Sequence, residues 1–258
     1  DDHFFEVDIL NAQAIAQVIN DINPDWIIHL AAIHFIPYCN QHPFEASKIN
    51  IQGTLNVLEA LKNTTVQKVL FASTAAVYPI SDVPLPEHTP LAPIDIYGLS
   101  KLTGERLLHR FYLETSIPSI VGRFFNAIGP NETNLHLFPS ILEQIKAGQR
   151  TIKLGNLSPH RDYIHVQDIA VAILQLMRHF EEGYEVFNIG SGQEYTVVEI
   201  VKAFEEALGE TISIEIDVDK VRKGERMHLA ADISKLKTFI DWTPTRSIQQ
   251  TIKELLIG

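Results

Sequence analysis

Tyr97 and Lys101 lie four positions apart in IYGLSKLTGERLL, residues 96–108, whose pattern predicts a helix. Side chains at this spacing are neighbours on a helix, and a cation beside a phenol favours the phenolate. A free phenol has a pKa of about 10, so a nearby lysine would make it a better base toward a substrate hydroxyl at neutral pH. Ordinary side chains on a helix surface show the same spacing. The pair alone therefore leaves both interpretations open.

Two hydroxyl groups, Ser73 and Thr74, follow the apolar run KVLFAS at residues 68–73. Open α/β sheets place their sites at the carboxyl ends of strands. A hydroxyl at that place can bind the same substrate oxygen as a phenol. Thr74, Tyr97 and Lys101 would then form a proton-transfer set for interconversion of an alcohol and a ketone. Taken alone, a threonine at a strand end is more often satisfied by its neighbours.

The elements that would position these groups alternate between strand-length apolar runs and helical patterns, which is typical of parallel β-α-β units. The predicted strands are 25–30, 68–73, 117–124 and 184–190, and the predicted helices are 12–22, 43–62, 96–114 and 165–180. This pattern predicts an α/β fold with a doubly wound, Rossmann-type parallel sheet that is incomplete at its N-terminal side.

Between residues 126 and 160, and again after 191, loops with Gly and Pro separate short strands (151–154 and 212–217) and helices such as 196–208. We therefore expect a smaller C-terminal α+β lobe that binds substrate. The predicted division assigns 1–125 and 163–190 to a dinucleotide-binding domain, and 126–162 and 191–258 to the substrate-binding lobe. Taken alone, the charge-rich stretch 219–232 reads as a solvated connection.

Composition excludes several classes of function. The 258 residues carry a formal charge of −11, which disfavours nucleic acid but permits a small phosphorylated ligand held by a few arginines. Cys39 is the one cysteine, so intrachain disulfides and thiolate metal clusters are not expected. No apolar run is long enough to span a membrane, and the acidic N-terminus is unlike a secretory signal. We expect a cytoplasmic protein without metal, in which His34 and His42 are surface or satisfied histidines.

Eight short motifs follow one another in a fixed order. They are HLAA (29–32), INIQGTLNVLEA (49–60), STAAVY (73–78), YGLSK (97–101), RFFNAIGP (123–130), RDYIHVQD (161–168), FNIGSG (187–192) and RKGERMHLAAD (222–232). Each motif alone is weak, but together they cover nearly the whole chain. The sequence resembles the extended short-chain dehydrogenase/reductases, the NAD-dependent epimerases and dehydratases that act on nucleotide sugars.

The resemblance implies roles for the residues already discussed. Tyr97 would be the general base and acid, Lys101 would lower its pKa and hold the nicotinamide ribose, and Thr74 would orient the sugar hydroxyl. Asp8 would accept from the adenine amino group, although an aspartate before a helix is also a candidate N-cap. The implied NAD contacts are Asp8, Ile9, Leu30, Ala31, Ala32, Asn50, Ser73, Tyr97, Lys101 and Phe124.

The resemblance also implies a substrate, a nucleotide-diphosphate sugar of the UDP-hexose type. Its implied contacts are Thr74, Asn126, His136, Leu137, Arg161, Arg222 and Glu225. Arginine suits this ligand because a guanidinium offers paired donors to phosphate. His136 stands where relatives usually carry Asn, and Glu225 where Asp is common. Residues 32–43 and 78–80 are expected to select the sugar.

A homodimer through a four-helix interface is a further implication of the resemblance. The helices would be the one at 43–62 and the one that carries Tyr97. Leu102, Leu108 and Phe111 are candidates for its apolar seam, but packing against the sheet is the commoner use of such a stripe.

Ala75 and Ala76 bear on the reaction. Family members that dehydrate or decarboxylate the sugar keep an acidic side chain two residues after the threonine, and an alanine cannot move a proton. The absence favours epimerisation at C4 through a transient 4-keto intermediate. A nucleotide-sugar reductase, a simple dehydrogenase or a dehydratase of the same family stays open, as does a non-catalytic sugar-nucleotide-binding or scaffold protein.

The largest departure from the family is the missing Gly-x-x-Gly-x-x-Gly segment, which would place bare backbone and a helix N-terminus at the pyrophosphate. About fifty family residues have no counterpart before Asp1. Either the sequence is a fragment of a complete enzyme, which we favour, or the chain is naturally short. We expect weak or no NAD binding by residues 1–258 themselves, which calorimetric titration with NAD measures.

Overall fold

The computed structural model describes residues 3–221 and 226–257. The helices are α1 Ala12–Ile22, α2 Ile36–Gln41, α3 Pro43–Ser47, α4 Gly53–Leu61, α5 Ile96–Thr115, α6 Leu137–Lys146, α7 Val166–His179, α8 Val197–Leu208, α9 Ser234–Ile240 and α10 Ile248–Ile257. The strands are β1 Trp26–His29, β2 Lys68–Thr74, β3 Ser119–Phe124, β4 Asn126–Ile128, β5 Thr151–Leu154, β6 His160–His165, β7 Tyr184–Ile189, β8 Glu194–Thr196 and β9 Ser213–Ile216.

Two compact units divide the chain. The first unit comprises the residues through Pro79, Glu87–Phe124 and Ile173–Phe187. The second unit comprises Ile80–Pro86, Phe125–Ala172 and the described residues from Asn188 onward. Residues 80–86 and 163–172 thus pack with the second unit, whereas the predicted division assigned them to the dinucleotide-binding domain. The ligand roles predicted for the two stretches stay predictions.

The sheet of the first unit has the strand order β1-β2-β3-β7. β2 pairs in parallel with β1 and with β3, and its last residues Ser73 and Thr74 lie opposite Arg123 and Phe124. The predicted α/β class with a Rossmann-type parallel sheet is confirmed. Because parallel strands end at one edge, the hydroxyl groups of β2 and the last residues of β3 share that edge.

One apolar core covers a face of this sheet. Its buried members include Val57 and Leu61 from α4, Phe71 from β2, and Leu108 and Phe111 from α5. For Leu108 and Phe111 the alternative of packing against the sheet is confirmed, since they are 0% and 2% exposed inside the core and do not form a dimer seam. Leu99 and Leu113 are the exposed leucines of α5, and the homodimer stays a prediction.

Helix α5 begins and ends where local side chains and backbone dictate. The Asp95 carboxylate accepts from the Gly98 backbone N–H at 2.7 Å and caps the N-terminus. Ser116 adopts a left-handed conformation and ends the helix. The predicted helix at 96–114 therefore differs from the observed one by a single residue, because both boundary signals lie in the sequence itself.

The second unit contains two small sheets, β4-β6-β8 and β5-β9. Its core is formed by apolar residues of α6, α8 and α10 packed on β5, with Ile141, Ile152, Phe204 and Ile252 fully buried. Predicted strands 151–154 and 212–217 and helix 196–208 correspond to β5, β9 and α8.

The stretch predicted as a solvated connection, 219–232, is partly buried. Arg226, Leu229, Ala230 and Ala231 are at most 9% exposed, and Ala231 forms a parallel bridge to Leu85. The charge pattern did not predict this burial, because it results from backbone hydrogen bonds between this stretch and other segments of the second unit. Residues 222–225 lie outside the described residues.

Candidate active site

Thr74 and Tyr97 meet at the carboxyl end of β2. The Thr74 hydroxyl accepts from the Ala76 backbone N–H at 3.2 Å, and the Thr74 side chain is close enough to the Tyr97 phenol to oppose the rise of its pKa. Gly98 permits this approach of α5, since a Cβ there would lie 2.5 Å from the Ala76 carbonyl oxygen. The first turn of α5 is therefore pressed against the 3-10 turn Ala75–Val77.

Lys101 lies one helical turn beyond Tyr97 and is 3% exposed. Its Nζ donates to the Ala72 backbone oxygen at 2.7 Å and lies 4.8 Å from the centre of the Phe71 ring. An ammonium has three donors, and Ala72 is the one hydrogen-bond acceptor recorded for it among the described residues. Burial lowers the pKa of Lys101 to about 8. The group is thus charged at neutral pH with donors to spare.

The expected lowering of the Tyr97 pKa by Lys101 is not found in the described residues. Burial raises the pKa of Tyr97; the hydrogen bond from Thr74 opposes this rise, and the nearby Cys39 and Asp95 add to it. Desolvation of the phenolate outweighs its stabilisation here. Tyr97 by itself therefore holds its proton at neutral pH, and a further positive charge is needed to make it a base.

Asn50 forms a second layer behind this pair. It is 2% exposed, and its side chain bonds both the N–H and the carbonyl of Ile33, at 2.8 and 2.9 Å. Its amide also donates to the Ser100 hydroxyl at 3.0 Å, and Ser100 donates to the Tyr97 carbonyl at 2.8 Å. Asn50, predicted as a cofactor contact, thus ties the loop after β1 to the first turn of α5.

His29 is a buried histidine at the end of β1. The Thr54 hydroxyl donates to the Asn50 carbonyl at 2.6 Å, so it accepts from the His29 Nε2–H at 3.0 Å. Burial and then the charge of Lys101 lower the pKa of His29 to about 4. The ring is therefore neutral in the folded protein.

We expect His29 to destabilise the fold as the pH falls from 7 to 5. Its pKa is about 4 when folded and about 6.5 when unfolded, so the unfolded chain binds the extra proton in this range. The loss is about 2 kcal/mol of unfolding free energy, measured by urea titration at both pH values. His29→Gln should lose less over the same range, whereas His88→Gln, at an exposed histidine, should behave like the wild type. Equal losses in all three proteins would contradict the assignment.

Ser73, predicted as a cofactor contact, is buried and bonded within the protein, and its contact with a cofactor stays a prediction. It is 2% exposed, and its hydroxyl donates to Glu105 Oε1 at 2.5 Å. Glu105 is paired with Arg123, and Arg123 also donates to the Tyr78 hydroxyl at 2.9 Å. Tyr78 is 0% exposed and buried in this network, so its expected role in selecting the sugar is not supported.

Glu105 and Arg123 were not predicted as part of the site, although the sequence contains a signal for Glu105. Glu105 lies four residues after Lys101 and eight after Tyr97, which puts all three on one face of α5. If this face of the helix packs on the sheet, the carboxylate of Glu105 is buried. A buried carboxylate needs a cation as its partner.

The remaining predicted cofactor contacts lie in the loop before α1, just after β1 and at the end of β3. The Asp8 carboxylate accepts from the Leu10 N–H at 2.9 Å, and Asn11 rather than Asp8 caps α1. Ile9 packs against Gly53 and accepts from the Asn56 amide at 2.9 Å. Leu30 and Ala31 are exposed, Ala32 is half-buried, and Phe124 lies opposite Thr74.

The predicted substrate contacts belong to the second unit, apart from Thr74. Asn126 donates to the Asp162 carbonyl at 3.0 Å, and Arg161 is half-buried and donates to the His160 carbonyl at 2.9 Å. His136 lies near Glu132, with 3.6 Å between Nδ1 and Oε2. Leu137 packs on the core of the unit. Arg222 and Glu225 lie outside the described residues.

A buried carboxylate organises this part of the second unit. Asp162 is 0% exposed and accepts from the Ser191 N–H and hydroxyl at 2.7 and 2.6 Å, from Gly192 N–H at 2.9 Å and from Ala231 N–H at 3.1 Å. Burial raises its pKa, and these hydrogen bonds oppose the rise. The side chain of Asp162 thus ties the turn after β7 to the segment before α9, beside Asn126 and Arg161.

A family model described as GDP-mannose 4,6 dehydratase matches residues 1–255. The chain belongs to the nucleotide-sugar epimerase and dehydratase family of extended short-chain dehydrogenase/reductases. It is 32% identical to a UDP-glucose 4-epimerase of Erwinia amylovora, over 97% of this chain and 80% of the relative. It is also 30% identical to a GDP-6-deoxy-D-mannose reductase of Pseudomonas aeruginosa, over 96% of this chain and 84% of the relative.

Solved structures agree with the family. The crystal structure of UDP-glucose 4-epimerase from Bifidobacterium longum in complex with NAD+ and UDP matches with a TM-score of 0.89 at 27% identity, over 98% of this chain and 81% of that chain. Relatives with different reactions are thus similarly close to this member of the family. Similarity to relatives therefore does not distinguish epimerisation from reduction or dehydration, which depend on the residues of the site.

Among the described residues, no group of three His, Cys, Asp or Glu side chains has the arrangement of a metal site. Within the same residues, no helix combines the length and apolarity that crossing a bilayer requires.

Proposed function

We propose that this protein, with NAD as its cofactor, acts on a nucleotide-diphosphate hexose and inverts the configuration of the sugar at C4. The observation that carries the proposal is that the first turn of α5, which bears Tyr97, packs closely on the turn after Thr74, with the buried Lys101 ammonium one helical turn away. These are the groups needed to remove a proton from a secondary hydroxyl and to return it.

Lys101 and the residues just after β1 fit a bound NAD. The Lys101 ammonium is buried yet has donors to spare, which suits the hydroxyls of a ribose. Leu30 and Ala31 are exposed residues next to the small Ala32, which leaves room for a ligand along the end of β1. When bound, NAD supplies a reversible hydride acceptor, and its oxidised ring brings a positive charge that favours the Tyr97 phenolate.

The chain's own residues then move one proton in each direction. The Thr74 hydroxyl would hold the C4 oxygen beside Tyr97, and the phenolate would take the proton of the C4 hydroxyl while bound NAD would supply the acceptor for the C4 hydride. Once the resulting 4-keto sugar presents its other face, Tyr97 would give the proton back to the oxygen, and the reduced cofactor would supply the hydride for C4. Lys101 would stay charged through this sequence and hold the nicotinamide ribose.

The second unit supplies the residues proposed for the nucleotide. Asn126 and Arg161 are held by backbone carbonyls of β6, and Arg161 would bind the diphosphate through its guanidinium. Arg222 and Glu225 are proposed for the same ligand from the sequence, together with His136 and Leu137.

Ala75 and Ala76 support epimerisation over dehydration. Both are buried, at 2% and 7% exposure, and neither carries a proton-transfer group. The nearest alternative is a nucleotide-sugar reductase, because it needs the same three groups and one relative is such an enzyme. A non-catalytic protein that binds the sugar nucleotide is the alternative of another class.

Proton NMR of the protein with saturating NAD and a series of UDP- and GDP-hexoses in D2O tests the proposal. We expect the C4 epimer to appear with protium retained at C4, because hydride transfer does not exchange with solvent. A 4-keto-6-deoxy product would assign dehydration instead. Consumption of a 4-keto sugar with NADH or NADPH, without epimer, would assign reduction. Binding without any turnover would assign the non-catalytic class.

A further inference from the structure

The face of α5 that carries Tyr97 and Lys101 continues to a buried carboxylate. Glu105 is 3% exposed and lies one turn beyond Lys101. Its Oε1 accepts from the Ser73 hydroxyl at 2.5 Å and from Arg123 Nε at 2.9 Å, and its Oε2 accepts from Arg123 Nη2 at 2.8 Å. Both carboxylate oxygens are thus engaged by β2 and β3.

Arg123 fastens the other side of this cluster. It is 4% exposed, and its Nη1 donates to the Tyr78 hydroxyl at 2.9 Å and to the Glu87 carbonyl at 3.0 Å. The Arg123 side chain also lies over the Tyr78 ring, 4.9 Å from its centre. Tyr78 ends the 3-10 turn that begins at Thr74, so the cluster grips both ends of that turn.

We propose that Glu105, through Ser73, is a positioning residue that holds the Thr74 hydroxyl against the Tyr97 phenol. Ser73 is the residue before Thr74 in β2, and Glu105 is on the helix of Tyr97, so their hydrogen bond joins the two elements whose side chains must meet. A fixed distance between Glu105 and the strand end fixes how far α5 lies along the strand.

Stability alone gives little reason for such a cluster. A buried ion pair loses hydration that its attraction only partly offsets, and apolar replacements of similar volume are often as stable. The bidentate contact of Glu105 with Arg123 defines both direction and distance, which an apolar contact does not. We therefore infer that the main effect of the cluster is to fix the positions of the residues at the end of β2.

The substitution Ser73→Ala tests this role, which rests on the function proposed above. It removes the hydrogen bond that joins the end of β2 to Glu105 but leaves the ion pair of Glu105 and Arg123 in place. We expect kcat to fall about tenfold with both KM values within about twofold, because misplaced reacting groups slow the chemical step more than binding. In a Tyr97→Phe background, Ser73→Ala should lower the residual rate no further.

Ser119→Ala is the matched control. Ser119 is 0% exposed in β3, and its hydroxyl donates to the Ile117 carbonyl at 2.9 Å, at the opposite end of the sheet. Both variants lose one buried hydroxyl, so urea unfolding should show similar losses while kcat differs. Should Ser73→Ala not fold, Ser73→Cys, with a weak donor of similar size, takes its place.

A readout without turnover separates this inference from the proposed function. The protein has seven tyrosines, and labelling their Cζ atoms with ¹³C gives resonances from which Tyr97→Phe identifies that of Tyr97. We expect this resonance to move in Ser73→Ala and to stay in Ser119→Ala. A resonance unmoved by Ser73→Ala, or equal kcat losses in the two variants, would overturn the positioning role. A wild type that turns over no nucleotide sugar refutes the proposed function, and the resonance then decides the positioning role.

Discussion

Replacing Tyr97 with Phe is expected to lower kcat by about 10³-fold, the range found when a general acid and base is removed. The substitution deletes one oxygen and keeps the ring, so the packing of the first turn of α5 is retained. The dissociation constant of the nucleotide sugar should stay within a few-fold of the wild-type value, because the phenol is proposed to transfer a proton and not to bind the nucleotide. Steady-state rates and calorimetric titration measure the two effects separately.

Tyr112→Phe on the same helix is the control for this prediction. Tyr112 lies fifteen residues after Tyr97, about 22 Å along the helix axis, and its ring contacts Tyr184. It should retain wild-type turnover. A Tyr97→Phe protein with more than about a tenth of the wild-type rate would remove Tyr97 from the chemistry and with it the proposed mechanism.

Lys101→Met is expected to cost about 10²-fold or more in kcat and to weaken NAD binding. The substitution keeps a long apolar stem beside Phe71 but removes the buried charge and the free donors that are proposed to hold the nicotinamide ribose. Thermal stability should change little, since a buried ammonium carries a desolvation cost that Met does not. Rates at saturating substrate and titration with NAD test both parts.

The pH profile provides a second measurement of the Lys101 charge. Burial lowers the pKa of Lys101 to about 8, so the ammonium is present below that value and is lost as the pH rises through it. Wild-type kcat/KM should therefore fall above pH 8, and Lys101→Arg, which stays charged, should lack that fall.

Lys68→Met is the matched control for Lys101. Lys68 also donates to a backbone carbonyl, that of Met177 at 3.0 Å, but it lies at the start of β2 rather than at its end. It should keep both the wild-type rate and the wild-type pH profile. Loss of the high-pH fall in Lys68→Met would show that the profile does not report on Lys101.

Particular elements show why much of the fold was predictable. The helix at 12–22 was predicted with its observed bounds because its apolar face repeats with the helical period, and Asn11 and Asn23 mark its ends. Helix α2 was missed because six residues are too few for that period to be read. The family was predicted because eight ordered motifs carry it, and the comparisons confirm it.

The candidate site was predictable only in part. Local spacing places Tyr97 and Lys101 on one helical face, and the end of an apolar run places Thr74 at a strand end. No local pattern shows that Ser73 bonds Glu105, or that Asp162 accepts from Ser191, Gly192 and Ala231, since these partners are 29 to 69 positions apart.

The amino-acid sequence by itself determined the alternation of strands and helices and the family, and it indicated the candidate catalytic set, because these depend on short-range periodicity and on motifs. Tertiary structure alone decided the electrostatics of that set. Burial raises the pKa of Tyr97 and lowers those of Lys101 and His29, and the cost of desolvating a charge depends on the surroundings that the whole fold creates.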